Sequence, residues 1–414
     1  MAVERTKRAL LAVVLVASGV AGACDAGQQA GEASDSSPTP LGWSIESVFE
    51  AGGLEADGEL AFGDVAAVTF GPDGRLYVID GDARHVVVID EAGRFVRTLG
   101  EPGEGPGSLA WPTGLVVKDG GEVVVLDSAR RRWVRFGPGG EVLEGIAIAD
   151  DVPLPRGPLA LHASGKVLGT RDDVVEGAGP RPVLLHSVGA DSALEGADTV
   201  WGAWRPTIPE GRALTPEETG GLRVRLPPLV GFHPHVHSAP LDDGRIVVAD
   251  STDYHLRIID LDDGVTETLR RPGKPVSTTE ALRNAERDRR LTELEADPPA
   301  MVVSDAQGRS MGVADDPVMR LERARIDAMG FHDEIPVIAA LAVDAEGRLW
   351  VGRSGATPGD AGPIDVLEVD LSPIGTVPAG AMAFPTAFGP DGRVAHVTRG
   401  DFGAPRVTVS RWIR

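Results

Sequence analysis

Arg75-Leu76-Tyr77-Val78-Ile79-Asp80, followed after a short gap by His85-Val86-Val87-Val88-Ile89-Asp90 and then by Gly93-Arg94-Phe95-Val96-Arg97-Thr98-Leu99-Gly100, is the stretch that decides how this chain folds. Its apolar runs are short, rich in β-branched residues and punctuated by Gly, Asp and Ala, which reads as strands joined by tight hairpins. Upstream, residues 66–70 form another run that ends in the turn Gly71-Pro72-Asp73-Gly74. Such a turn places one residue at positive φ, where a Cβ is unfavourable, so its last position calls for glycine. Four strands about ten residues apart make one antiparallel blade.

The unit recurs. Glycine-closed turns between two apolar runs stand at Gly71-Pro72-Asp73-Gly74, Lys118-Asp119-Gly120-Gly121, His162-Ala163-Ser164-Gly165, Leu241-Asp242-Asp243-Gly244, Asp344-Ala345-Glu346-Gly347 and Gly389-Pro390-Asp391-Gly392. Repetition at such a period is the signature of a propeller, and six turns predict six blades. Blade one takes 66–70, 75–80, 85–90 and 95–99; blade two takes 114–117, 122–127, 133–136 and 142–146. Blade three is degenerate, with 182–188 and 199–203 as its outer strands; blade four spans 236–271 and blade five runs from Pro336 to near Ala379. Blade six uses 383–388, 393–398 and 406–413 and then runs out of chain, while residues 43–49 alternate apolar and polar and belong to no other blade. Pairing 43–49 with 406–413 would complete the last blade and remove the exposed edges of an open array. The fold class is therefore all-β, a six-bladed β-propeller over 43–414 closed by its N-terminal strand.

Two insertions interrupt the ring. Residues 204–231, rich in Pro and Arg, read as a long loop between blades three and four. Residues 275–334 read as a partly helical flap between blades four and five. Ser277 with Glu280 suggests a capping box, Glu286 with Arg290 a favourable i,i+4 pair, and a second helix runs from Asp316-Pro317 to Gly330. Between the helices, 301–304 and 310–313 around Gln307-Gly308 form a hairpin pattern.

Ahead of the ring, Arg5, Lys7 and Arg8 precede an apolar run and then small residues through Ala23, the layout of a secretory signal peptide over residues 1–23. The ending Ala21-Gly22-Ala23-Cys24 resembles a bacterial lipobox, with Ala where that motif usually has Leu, and it also suits ordinary signal peptidase. Cys24 is the only cysteine, so in an oxidising compartment it has no disulfide partner, whereas lipidation gives it a use. Residues 25–41 offer little to bury and predict a flexible tether with a mean span of ~20–25 Å. The net charge is −22, and −24 once the first 23 residues are removed. A surface so acidic, with no basic patch, repels phosphate backbones and sets nucleic-acid binding aside. The expected address is the cell envelope, with the membrane as one partner through the lipid and the propeller itself a monomer.

The sequence around residues 75–100 resembles the NHL repeat, most closely in blades one, two and four. From Trp43 onward the chain resembles the six-bladed β-propeller lipoproteins of bacteria, a likeness that implies the fold and export and carries no catalytic residues with it.

In propellers the loop after the second strand of each blade opens on the upper face, where ligands usually bind. Six residues past each turn glycine stand Asp80, Asp127, Arg171, Asp250, Arg353 and Thr398, with Arg399 next to the last. The aspartates suit backbone hydrogen bonds within their own loops. Arg171, Arg353 and Arg399 suit either acidic neighbours or the carboxylate or phosphate of a ligand. The densest titratable cluster is His233-Pro234-His235-Val236-His237. Alternate residues share a strand face about 6.6 Å apart, so two of these histidines, not three, can share a metal. His235 should fall near Asp250 across the hairpin, which allows a zinc or calcium site of His233, His235 and Asp250, or a His–Asp acid/base pair. Trp111, Tyr254 and His255 read as packing between blades. No nucleophile elbow, phosphate loop, paired CxxC, HExxH or EF-hand pattern is present. Two readings follow: a binding module for a protein, peptide or glycan partner with no cofactor, or a metal-assisted hydrolase or lyase with its site at the upper mouth of the channel.

Overall fold

A computed structural model of the protein describes residues 31–32, 39–172, 179–189, 196–215, 217–218, 228–296, 302–304, 310–312, 315–400 and 403–413. The segment read as a signal peptide, Cys24, most of the segment read as a tether and the Gln307-Gly308 turn lie outside the described residues. Six antiparallel sheets of four strands, one of them extended by a short parallel strand, follow one another as six blades. Blade one is Val65–Phe70, Leu76–Asp80, His85–Ile89 and Phe95–Leu99, and blade two is Pro112–Val117, Val123–Asp127, Arg132–Phe136 and Ile146–Ala147. Blade three is Arg156–Leu161, Val167–Thr170, Arg181–His186 and Ala197–Ala203; blade four is His237–Pro240, Ile246–Ala249, His255–Asp260 and Gly264–Arg270. Blade five is Ile338–Val343, Leu349–Arg353, Ile364–Leu367 and Pro373–Val377. The six turn glycines, Gly74, Gly121, Gly165, Gly244, Gly347 and Gly392, all adopt positive φ, between 70° and 87°, the physical reason the repeat is legible at all.

Blade six is Ala387–Phe388, Arg393–Arg399 and Pro405–Ile413, and its outermost strand is Ser44–Gly52 from the N-terminal side. Ser44 stands opposite Ile413 and Gly52 opposite Arg406, with a bulge at Ser47/Phe49. The core is not one mass but six apolar wedges, one between each pair of neighbouring blades. Blades six and one share Val407, Val409, Val68, Leu76 and Val78, and blades five and six share Trp350, Val366, Phe388, Trp412 and Trp43. Every blade thus buries both faces, and a ring arrangement leaves none exposed. Small and β-branched residues of all six inner strands surround a central channel of about 660 Å³.

Two local expectations shift. In blade two the outer strand is Ile146–Ala147, and Val142 makes only an isolated bridge to Phe136. Within the segment read as a tether, Gly31–Glu32 runs parallel to Leu269 and Arg270 of blade four, and the Leu41 N–H donates to the Thr376 carbonyl.

The second insertion carries helices α1 (Glu280–Ala296) and α2 (Asp315–Asp327) and the hairpin Val302–Ser304 with Ser310–Gly312. The α1 cap is Thr279, whose Oγ1 accepts from the Leu282 N–H at 3.3 Å. Ser277 cannot serve, because Val276–Ser277 is extended and paired with Glu334–Ile335. Glu286 does pair with Arg290, at 2.7 Å, and also with Arg289. Leu291 and Leu294 pack with Ile326, Met329 and Phe331 in a small separate core. The first insertion joins this body: Val230–Gly231 runs parallel to Gly330–Phe331, and the Arg212 N–H donates to the Ala328 carbonyl. Helix α1, ~25 Å long at 1.5 Å per residue, crosses the upper face. A Cβ on Gly359, in blade five's upper loop, would lie 2.9 Å from Arg289 Cδ, and one on Gly403, in blade six's, 2.6 Å from the Ala296 carbonyl oxygen. The two insertions form a cap over blades four to six.

Candidate functional site

Beneath the cap, the chain re-enters the ring at Phe232-His233-Pro234-His235-Val236 before the inner strand of blade four. Phe232 has φ of 59°, a conformation unfavourable for a bulky side chain. Its ring packs 5.7 Å from that of Phe331 in the cap, which helps hold the bend that aims the histidines. Below them lies Arg181, the first residue of blade three's third strand, with its side chain 0% exposed. Its Nε donates to the Trp204 carbonyl at 2.7 Å, and its Nη1 to Asp172 Oδ1 at 2.5 Å and the Pro234 carbonyl at 2.7 Å. Asp172, two residues past blade three's second strand, is thereby fixed. Its Oδ2 accepts from His235 Nδ1 at 2.7 Å and from the Val236 N–H at 3.1 Å. His233 Nε2 stands 3.4 Å from Arg181 Nη1 and 3.5 Å from Asp172 Oδ1, and its Nδ1 is 3.3 Å from Nε2 of His332 in the cap.

Burial alone would raise the Asp172 pKa, but contacts from His233 and His235 and the Arg181 charge outweigh it and hold the carboxyl well below the usual range. Burial lowers His237 and His332 to about 4, so both are neutral at pH 7. His235 is the exposed member: with Nδ1 committed to Asp172, its Nε2 has no protein partner among the described residues.

His233, His235 and His237 line one wall of a cavity of about 360 Å³. Arg289 and Arg290 of α1 line another, and blade five's upper loop, with Arg353, Ser354, Gly355 and residues 357–360, forms a third. The structure therefore brings together His233, His235 and Arg353 from the positions singled out in the sequence.

The others sit elsewhere. Asp80 is buried, and its carboxylate accepts from the Gly63, Asp64, Asp82 and Ala83 amides. Asp127 likewise accepts from the Ala110 and Trp111 amides. Arg399 pairs with Asp64 at 3.1 Å, bridging blades six and one. The Arg171 N–H continues the sheet to the Pro182 carbonyl. The expected triad of His233, His235 and Asp250 is corrected: the carboxylate beside the histidines is Asp172. Asp250 is already saturated by Trp201 Nε1 and the Trp204 N–H, each at 3.1 Å, and by the Arg257 guanidinium. In blades one and two the corresponding aspartate clamps amides just ahead of its own inner strand. In blade four it still clamps Trp204, but residues 205–229 now intervene, and Asp172 of the preceding blade takes over the returning backbone at Val236. Tyr254 and His255 are buried, whereas Trp111 is 65% exposed and does not pack between blades. Sequence reasoning missed Asp172, Arg181 and His332. The available signal for the first was the adjacency of Arg171 and Asp172, because blade three's second strand ends at Thr170, one residue sooner after its glycine than in blades one and two.

The class defined by these features is a six-bladed β-propeller with a capped upper-face cavity. A family model described as 6-bladed beta-propeller matches residues 52–160. No curated protein matches the chain. Among solved structures it is similar to a protein of Bacteroides fragilis, at 9% identity and a TM-score of 0.47, covering 90% of this chain and 95% of that one. It is also similar to a gluconolactonase of Xanthomonas campestris (11% identity, TM-score 0.41, 91% and 96% covered). A third is virginiamycin B lyase of Staphylococcus aureus (12%, 0.40, 90% and 100%).

Proposed function

We propose that this chain is an exported binding propeller, tethered to a membrane through lipid on Cys24, that holds a protein, peptide or glycan partner at its capped upper face. The lipobox-like ending and the NHL-like repeats support the address and the scaffold. The observation that carries the binding role is the cavity of about 360 Å³ between the histidine row, α1 and blade five's upper loop, within the range of small-ligand sites. Its walls come from the two insertions as well as the ring, and an insertion that merely decorated the fold would have no reason to enclose a recess. The test is titration of the mature protein with soluble envelope glycans and peptides, alongside Ala339→Trp. Ala339 is exposed and lines the cavity, so the indole fills the recess without disturbing the core. Saturable binding lost in Ala339→Trp at unchanged melting temperature supports the reading; binding indifferent to that substitution refutes it.

A second reading, a hydrolase or lyase, is favoured by one observation: donor atoms of Asp172, His233 and His235 lie within 4.8 Å of one another. Calcium would need six or more oxygen ligands, which this set does not supply, whereas a nitrogen–oxygen set suits zinc. The fit is nonetheless poor, because the Arg181 guanidinium already occupies the cation position, 2.5 Å from Asp172 Oδ1. The same geometry suits acid/base work better, with Asp172 orienting His235 and His235 Nε2 carrying the proton. Chemical change in a bound ligand, abolished by His235→Gln, would decide for this reading over binding alone.

A further inference from the structure

We infer that the ligand of this cavity is a hydroxylated carboxylate, either a free sugar acid or the acidic sugar of a glycan, anchored at its carboxylate by Arg353 and at a hydroxyl by His235. The inference rests on the cavity being the binding site and adds the chemistry of what fills it.

Three observations converge. First, the lining carries Arg289, Arg290 and Arg353 against Glu286 and Asp360, an excess of one positive charge in a chain whose net charge is −22. Glu286 is held by both Arg289 and Arg290, Arg289 also reaches Glu293, and Asp360 accepts from Thr357 Oγ1. Arg353 pairs with neither of these lining acids; its partner is Asp365, outside the lining. Second, Arg353 is poorly matched. Its Nε is buried without a hydrogen-bond partner and lies 3.4 Å from Asp365 Oδ2, the same oxygen that Arg271 Nη1 approaches at 3.4 Å, while Asp365 Oδ1 accepts from Thr376 Oγ1 at 2.7 Å. One carboxylate thus serves two guanidiniums and a hydroxyl, and the Arg353 side chain, 30% exposed in a residue that lines the cavity, keeps capacity for a planar carboxylate, which a guanidinium fork suits. Third, His235 presents Nε2 while Asp172 holds its Nδ1–H. With Nδ1–H donated to Asp172, Nε2 is the ring atom left to meet a ligand hydroxyl. The volume suits one sugar-sized unit.

The experiment is calorimetric titration of the mature protein with D-glucuronate, D-glucose as the neutral match, and tetragalacturonate, repeated on Arg353→Gln, Arg353→Lys, His235→Phe and Ala339→Trp. Asp365 keeps Arg271 and Thr376 in the Arg353 variants, so folding should survive, and circular dichroism checks it. A charge-assisted hydrogen bond sets the scale: glucuronate should bind at least ~10-fold tighter than glucose, and Arg353→Gln should remove that margin. Arg353→Lys should restore only part of it, and His235→Phe should weaken both sugars by several-fold. Binding of monomer and oligomer alike supports the inference with a free sugar acid as the source, and binding of the oligomer alone supports it with a glycan. Equal binding of glucose and glucuronate, lost in Ala339→Trp, overturns the inference and leaves the binding site standing. Uronate binding indifferent to Ala339→Trp overturns both, and no saturable uronate binding by either probe at millimolar concentration overturns the inference.

Discussion

Replacing Asp172 with Asn leaves the Arg181 guanidinium, 0% exposed, without its counter-ion while the carbonyls of Trp204 and Pro234 still hold it in place. Breaking a buried ion pair from one side costs about 3–5 kcal/mol, because the remaining charge is stranded. For a ring of about 370 residues the unfolding entropy of ~2.1 cal/mol/K per residue makes each degree worth ~0.8 kcal/mol, so the melting temperature should fall by ~4–6 °C. Arg181→Met should lose a similar amount from the other side. The double variant strands no charge and should lose less than the sum of the two, with a coupling of ~2 kcal/mol or more. The pair also makes a pH claim. Asp172 has a folded pKa depressed below its unfolded value of ~3.9, so its contribution is complete above that value and fades as pH falls through it toward the folded value. The gap between the wild type and Asp172→Asn should therefore be constant from pH 7 to 5 and narrow toward pH 3. Thermal denaturation of the four proteins followed by circular dichroism reads all of this. Strict additivity, or a gap that widens in acid, would refute the account of the buried pair.

Other consequences follow from single contacts. Burial lowers His186 to about 4, and its Nε2 has no partner beside Trp133. The neutral form is favoured in the fold, so this stability is complete above ~6.5 and is lost between ~6.5 and about 4. His186→Phe should make the melting temperature less sensitive to acid across that window; an unchanged slope would contradict it. Removing residues 1–52 deletes the Ser44–Gly52 strand and leaves Pro405–Ile413 as a bare edge. Size-exclusion chromatography should show aggregation or loss of the compact monomer, and a well-folded monomer would deny the strand its role. Cys24→Ser should move the protein from the membrane to the soluble fraction and remove a lipid mass from its N-terminal peptide; retention in the membrane would point to another anchor.

The ring was legible because its determinants are local. Each blade announces itself within a few residues, through β-branched runs and a glycine whose positive φ no other residue adopts as easily. Asp80 and Asp127 were legible for the same reason, since the amides they clamp lie at most 17 residues away in sequence and within a single blade. The cavity was only half legible. His233 and His235 stood out as a cluster, yet their carboxylate came from Asp172 some sixty residues earlier, and His332 from 99 residues later. Neither pairing has a local signal, because both depend on where an insertion re-enters the ring.

That re-entry is also what separates this site from the scaffold. In blades one and two the aspartate at the end of the second strand is consumed in closing its own loop, and nothing is left for a ligand. Residues 204–231 break that pattern at blade four: Asp250 remains on its usual duty at Trp204, and the returning backbone needs a second carboxylate, which Asp172 supplies with Arg181 beneath it. One consequence is an imidazole fixed on one side by Asp172 and open on the other. The second insertion then places α1 on the same recess, so that His235 and Arg353 line one cavity together with Arg289 and Arg290. The same two insertions that interrupt the repeat therefore create the only polar cavity among those described that joins a histidine row to arginines. A variant lacking residues 275–334 should keep the six wedges between the blades and lose one wall of the recess, leaving His235 and Arg353, which stand on the ring and its re-entry, without the surroundings that make them a site.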